Sequence, residues 1–251
     1  MILYEFPLHE RVRTYLRLEQ LFKRLATLSA RLEAIDHHFA LISMFEILDV
    51  AARADLKTDL LRDLDRQRNL LEGYRGNPAI AEAVLEETLG QIDLSYTNLG
   101  NLNGKAGQAL IDHDWLASIR SRIAIPAGTC EFDLPSYHAW QHNAASARQG
   151  DLEEWSASLK PLQDSVEVLL KLMRDTGKPR KVMASGGQFQ LNLVQGRTYL
   201  LVRLGLDESL GLSPELSGNR LMISIRLMRQ GENKRSLPSA EDTPMELAIC
   251  A

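Results

Sequence analysis

The chain is poor in the residues on which export and the common enzyme chemistries depend. Two cysteines, Cys130 and Cys250, among 251 residues are too few for the disulfide framework of a small secreted fold and are expected to be buried thiols. No run approaches the roughly 18 uncharged apolar residues that cross a bilayer. The start, MILYEFPLHERVR, has neither the charged region nor the apolar region of an export signal. The expectation is a cytoplasmic protein without membrane insertion. GxGxxG, GxSxG, HExxH, EF-hand and CxxC patterns are all missing. The nearest approach to a P-loop, Gly100 to Lys105, is one residue short and has Ala106 where a magnesium-binding hydroxyl is required. The familiar hydrolase and cofactor signatures are thereby excluded, and no cofactor is expected. Glycine and proline number only 16 and 9 beside 45% hydrophobic and 25% charged residues, which excludes fibrous and disordered classes.

Charge is present but unevenly distributed. The net value of −4 argues against a nucleic-acid partner. Residues 1 to 31 carry six basic and three acidic side chains, 32 to 170 carry 11 and 22, and 171 to 235 carry 12 and five, a local excess of +7. A concentrated positive segment on an acidic protein steers a negatively charged partner without attracting nucleic acid indiscriminately.

The order of periodicities sets the fold class. Ile2 to Phe6, stopped by Pro7, reads as a strand. From Leu8 to Leu32 apolar residues recur every three or four positions, the spacing of a long helix, and Arg13, Arg17, Arg24 and Arg31 form a basic stripe on another side of it. Asp36 is expected to cap a second helix and Asp55 a third beginning at Leu56. Pro78 opens a fourth through about Leu94, and a Gly- and Asn-rich run from Ser95 interrupts the pattern. Helical spacing returns over 115–122, 136–143 and 152–174, the last kinked at Pro161, with 123–135 an extended connector. After Gly177 the period becomes two, in four strands over 189–194, 199–206, 221–228 and 245–249. This predicts an α+β protein with a helical domain over 7–176 and an antiparallel β-domain over 177–251 that the N-terminal strand, 1–6, completes.

Two constellations remain as candidate sites. Cys130, Asp133, His138 and His142 could serve a metal-dependent enzyme, since the histidines stand at i and i+4 on a helix. The other is the basic set: Arg13 and Arg17 in the stripe, Arg180 and Lys181, and Arg220 and Arg226, whose even spacing puts both on one face of a regular strand. Arginines so placed suit a carboxylate-rich peptide. The tryptophans at 115, 140 and 155 are scattered in sequence and read as separate core anchors.

Three long segments carry a family resemblance: LeuTyrGluPheProLeuHisGluArgValArgThrTyrLeuArgLeuGlu from Leu3, LeuLeuArgAspLeuAspArgGln from Leu60, and ArgIleAlaIleProAlaGlyThrCysGluPheAspLeuProSerTyrHisAlaTrp from Arg122. With TrpSerAlaSerLeuLysProLeu from Trp155 and SerGlyAsnArg from Ser217, the chain resembles the ZapD family throughout its length. The resemblance implies a non-enzymatic homodimer, acting at the mid-cell division site, that binds the C-terminal tail of the division GTPase FtsZ and bundles its filaments. It further implies FtsZ-binding roles for Arg17, Arg53 and His138, and basic positions matching at Lys181, Arg220 and Arg226.

Overall fold

The computed structural model describes residues 1–53, 55–219 and 221–251. Arg220 therefore lies outside the described residues, and with it the expectation that it shares a strand face with Arg226. The chain packs as two units, one of residues 17–169 and the other of residues 1–16 with 170–251.

The first unit is helical. Helix α1 (Glu10–Ser29) buries Val12, Tyr15, Leu18, Phe22 and Leu25, the line its spacing predicts. Helix α2 (Ala34–Ala51) is buried at Ala40, Leu41, Met44, Phe45, Ile47 and Leu48, too many directions for a surface helix, so it is central. Its N-cap position is Glu33; Asp36 sits in the first turn and pairs with Arg31 at 3.0 Å, which corrects the capping role expected for it. Asp55 does hold the N-cap position of α3 (Leu56–Glu72), without a side-chain capping bond. Leu56, Leu60 and Leu64 of α3 pack against α4 (Glu82–Gly100), whose buried face is Leu85, Leu89, Ile92, Ser95 and Leu99. That face explains why the Asn-rich stretch is helical up to Gly100: Ser95 and Leu99 continue the buried line, and packing outweighs weak intrinsic propensity.

Helices α5 (Gln108–Ile111), α6 (Asp114–Ile123) and α7 (Pro135–Gln141) follow. The segment between α6 and α7 is not extended. The amides of Ile125, Gly128, Cys130 and Asp133 each donate to the carbonyl three residues back, so it is a chain of tight turns. The expected long last helix is two helices, α8 (Ala145–Ala157) and α9 (Lys160–Asp175). Pro161 stands in the first turn of α9, where its missing N–H removes no helical bond, and starts a helix instead of kinking one.

The second unit holds strands β1 (Ile2–Pro7), β2 (Arg180–Ala184), β3 (Gln188–Asn192), β4 (Leu201–Leu206), β5 (Leu212–Gly218), β6 (Met222–Gln230), β7 (Ser236–Pro238) and β8 (Thr243–Cys250). They form two antiparallel sheets, ordered β1-β4-β8-β2 and β3-β6-β5 with β7 on β6. The four strands expected after Gly177 are β3, β4, β6 and β8. The chain's first strand joins the sheet as expected, registered with Tyr4 opposite Leu204. Strict alternation sends Tyr4, Phe6, Val202, Leu204, Leu206, Met245 and Leu247 into one core with Phe189, Leu191, Ile223, Ile225 and Leu227. On the opposite face of the first sheet, Leu201 and Cys250 pack with Val12 of α1 and Met173 of α9. Gly187 closes the β2–β3 turn at φ +72°, and any Cβ there would run into the Ser239 carbonyl, so both conformation and space demand glycine.

Candidate functional site

Helices α1 and α2 run antiparallel, and side-chain bonds fix their register. Arg31 meets Asp36, and Arg24 donates from Nε to Ser43 Oγ at 2.8 Å while its guanidinium pairs with Glu46. Continuing that register by the helical repeat places Arg17 abreast of Val50, within about one turn of Arg53. Three members of the arginine stripe are thus neutralised by carboxylates, Arg13 by Glu10 at 3.1 Å. Arg17 is exposed and forms no ion pair among the described residues. Arg53 is exposed just beyond α2. Arg120, in the last turn of α6, reaches Asp49 of α2 in an ion pair. Arg120 was not singled out from the sequence. The signal was present in its position, since a helix C-terminus favours cations.

His138 belongs to a different end of α2. The Tyr137 hydroxyl lies 2.7 Å from Nδ1 of His38, in the second turn of α2. Arg53 stands 15 positions beyond His38, a rise of roughly 20 Å along the helix. Helix α7 is anchored by aromatic packing. Tyr137 is fully buried and stacks on Trp140 at 5.7 Å, and Trp115 and Trp155 lie 5.8 and 5.9 Å from Trp140. The three tryptophans, scattered in sequence and expected as core anchors, pack as one cluster. Its polar edges are satisfied by bonds from Trp140 Nε1 to Asp151 at 2.7 Å and from Trp115 Nε1 to Ser136 at 3.1 Å. This anchoring leaves His138 exposed on the other side of α7.

The metal reading does not survive the geometry. His142 is 4.5 Å from His138 by ring centroids, but its Nδ1 is engaged with the His138 carbonyl at 2.8 Å. Asp133 faces Arg122 at 3.7 Å, and Cys130 is half-buried in the turns before α7. Among the described residues no three His, Cys, Asp or Glu side chains converge where a metal ion could be held.

In the second unit Arg180 and Lys181 are exposed on β2, the edge strand of its sheet, with Lys181 opposite Glu246 of β8. Arg226 projects from β6 in the other sheet, between Gln188 of β3 and Glu215 of β5. Ile225 and Leu227 beside it are buried, so Arg226 stands on the solvent face. The structure thus places the β-unit cations on two sheets.

The contact between His38 and Tyr137 has a consequence for titration. Burial holds its pKa below the ordinary histidine value, and burial drives the Tyr137 phenol far above its ordinary range, so the phenol donates and the imidazole accepts. In the unfolded chain a histidine titrates near about 6.5. The unfolded state takes up this proton first, so the stabilising contribution is complete above that pH and is lost on acidification below it. Between about pH 7.5 and 5.5 the urea midpoint of the native chain is expected to fall further than that of His38→Gln. Equal slopes would mean that His38 does not contribute.

Comparison with known proteins places these features in a family. The profile of the ZapD family, described as cell division protein, matches residues 16–226. The chain is 46% identical over 251 residues to the cell division protein ZapD of Ralstonia pickettii (strain 12J), covering 100% of this chain and 99% of that protein. It is 45% identical, with the same coverage, to the cell division protein ZapD of Ralstonia nicotianae (strain ATCC BAA-1114 / GMI1000). No described helix is long and apolar enough to cross a membrane. With a family profile matched across both units and near-complete coverage of both relatives, the chain belongs to the ZapD family of cell division proteins.

Proposed function

We propose that this chain is a non-enzymatic division factor that binds FtsZ through its C-terminal tail and, as a homodimer, crosslinks and bundles FtsZ filaments in the cytoplasm at mid-cell. The observation that carries this reading is the cationic end of the α1–α2 pair in a cell division protein, where Arg17 has no ion-pair partner among the described residues and Arg53 lies within about one helical turn of it. His138, Arg180, Lys181 and Arg226 are further exposed positions for acidic contacts. Crosslinking requires two such surfaces per particle, which a symmetric dimer supplies. Each contact need only be weak: a micromolar tail interaction is worth about −8 kcal/mol, and many tails along a filament make two-point attachment durable.

Co-sedimentation with FtsZ and GTP tests the reading. Arg17→Glu is expected to reduce bundled FtsZ about fivefold without changing the thermal midpoint, since an exposed unpaired arginine contributes little to stability. Light scattering should return about twice the 28.2 kDa chain mass. Absence of co-sedimentation with the unmodified chain would overturn the proposal.

A further inference from the structure

The β unit contains a cleft of about 640 Å³ between the start of α1, the loop joining β3 to β4 and the β5–β6 turn. Its apolar lining is Leu8, Leu193, Leu221 and Tyr199, and Leu221 is 58% exposed. The walls are fixed by backbone bonds: Leu193 N to the Leu221 carbonyl at 2.7 Å and Leu8 N to the Leu200 carbonyl at 2.9 Å. The polar lining of the cleft includes Gln195 and Thr198 together with three side chains that present donors, Arg197, His9 and Asn219. Arg197 lies over the Tyr199 ring at 5.5 Å and forms no ion pair among the described residues. His9 Nδ1 accepts from the Arg11 amide at 3.3 Å, which leaves Nε2–H as the outward group. Asn219 Oδ1 accepts from the Leu221 and Met222 amides at 2.8 and 2.9 Å, which leaves its NH₂ as the outward group. Among the described residues no Asp or Glu lines the cleft.

We propose that this cleft docks an extended segment of a partner protein in which carboxylates adjoin bulky apolar side chains. Leucines and a tyrosine form an apolar floor, and three donor side chains with no competing carboxylate complement negative charge. Nucleic acid is a poorer match, because among the described lining residues Arg197 is the one permanent cation and backbone tracking needs several. A stacked arginine over an aromatic ring is held in place before binding and loses less freedom when a carboxylate arrives. This site is separate from the FtsZ reading and does not depend on it.

Fluorescence anisotropy with a labelled peptide of Asp-Leu repeats tests the proposal on the full chain. The native protein is expected to bind it, with affinity falling about tenfold in Arg197→Glu and in Leu221→Asp, and to bind the matching Lys-Leu peptide at least about tenfold more weakly. Both substituted residues are exposed, and Arg197→Gln, checked by circular dichroism, serves as the gentler variant with a smaller loss in the same direction. Binding unaffected by all three substitutions, no binding of the Asp-Leu peptide, or equal binding of a labelled single-stranded oligonucleotide with the same dependence on Arg197 would overturn it. Co-sedimentation of FtsZ with the native chain is scored separately, so failure of one reading is distinguishable from failure of the other.

Discussion

Arg148→Ala is expected to lower the unfolding free energy by about 4 kcal/mol, enough to move the thermal midpoint of a chain this size by roughly 8–16 °C. Arg148 is 6% exposed. Its Nε donates to His37 Nδ1 at 2.9 Å, one terminal nitrogen to the carbonyls of Gln141, at 3.0 Å, and Asn143, and the other to the Leu32 carbonyl at 2.7 Å. His37, fully buried, is held in turn through Nε2 against the Arg31 carbonyl at 2.8 Å. The guanidinium forms no ion pair among the described residues; carbonyl dipoles and the accepting nitrogen of His37 compensate its charge. It ties the turn between α1 and α2 to the turn between α7 and α8, two segments that no regular secondary structure connects. Removing it leaves four acceptors without their donor, the His37 nitrogen fully buried and the three carbonyls partly so, and a buried acceptor left unsatisfied costs on the order of 1–3 kcal/mol. Arg148→Lys keeps the charge but not the planar fork, so it is expected to recover less than half of the loss. Chemical unfolding followed by circular dichroism measures both, and a midpoint within about 2 °C of the native chain for Arg148→Ala would show that the turns are held by something else.

Arg148 also shows where the sequence stops being legible. It stands in a polar stretch of α8 with no periodic mark to distinguish it from a surface arginine, and its partners are backbone carbonyls at 32, 141 and 143. No residue type encodes a backbone acceptor. The arginine stripe of α1 illustrates a related limit. Helical spacing put Arg13, Arg17, Arg24 and Arg31 together, but the separation of Arg17 from the others depends on Glu46 and Asp36, which only the register against α2 brings into place. The strands divide on the same principle. β3 and β6 were legible because alternate positions are buried or half-buried, and β4 and β8 because they are packed on both faces and so read as apolar runs. β2 carries Arg180 and Lys181 on a sheet edge, β5 contains Pro214, and β7 has three exposed residues ending in Pro238; edge strands are kept from further pairing by charge and proline, which erases the pattern that identifies strands. The tryptophans at 115, 140 and 155 come from three helices, so sequence separation concealed their cluster.

Glu5→Ala is expected to cost about 3 kcal/mol and to expose a second consequence at a cysteine. Glu5 projects from β1 with its side chain 18% exposed and accepts from Arg174 Nε at 2.8 Å, from the same guanidinium at 2.6 Å, and from Arg203 Nε, its cross-strand partner, at 3.0 Å. The carboxylate thus binds one arginine of α9 with both oxygens and one of β4 with a single oxygen. Without it two guanidinium groups with side chains only 19% and 26% exposed lose the carboxylate they share, and like charges brought together in a partly desolvated site cost more than the lost bonds alone. Arg174→Met introduced beside Glu5→Ala removes one cation and should restore about half of the loss, a non-additivity that distinguishes repulsion from simple loss of packing. Cys250 reports the same change chemically. Burial first of all pushes its thiol upward, Glu5 adds to that, and Arg203 and Arg174 oppose it. Cys250 is fully buried, so its ionisation is read by thiolate absorbance: removing the carboxylate leaves the opposing cations unbalanced, and the thiolate is expected to form at lower pH than in the native chain. The measurement is made in a Cys130→Ser background so that Cys250 is the single thiol. A thiolate titration unchanged by Glu5→Ala, with stability lost as expected, would show that burial alone governs Cys250 and that the arginines do not sense the loss of their shared partner.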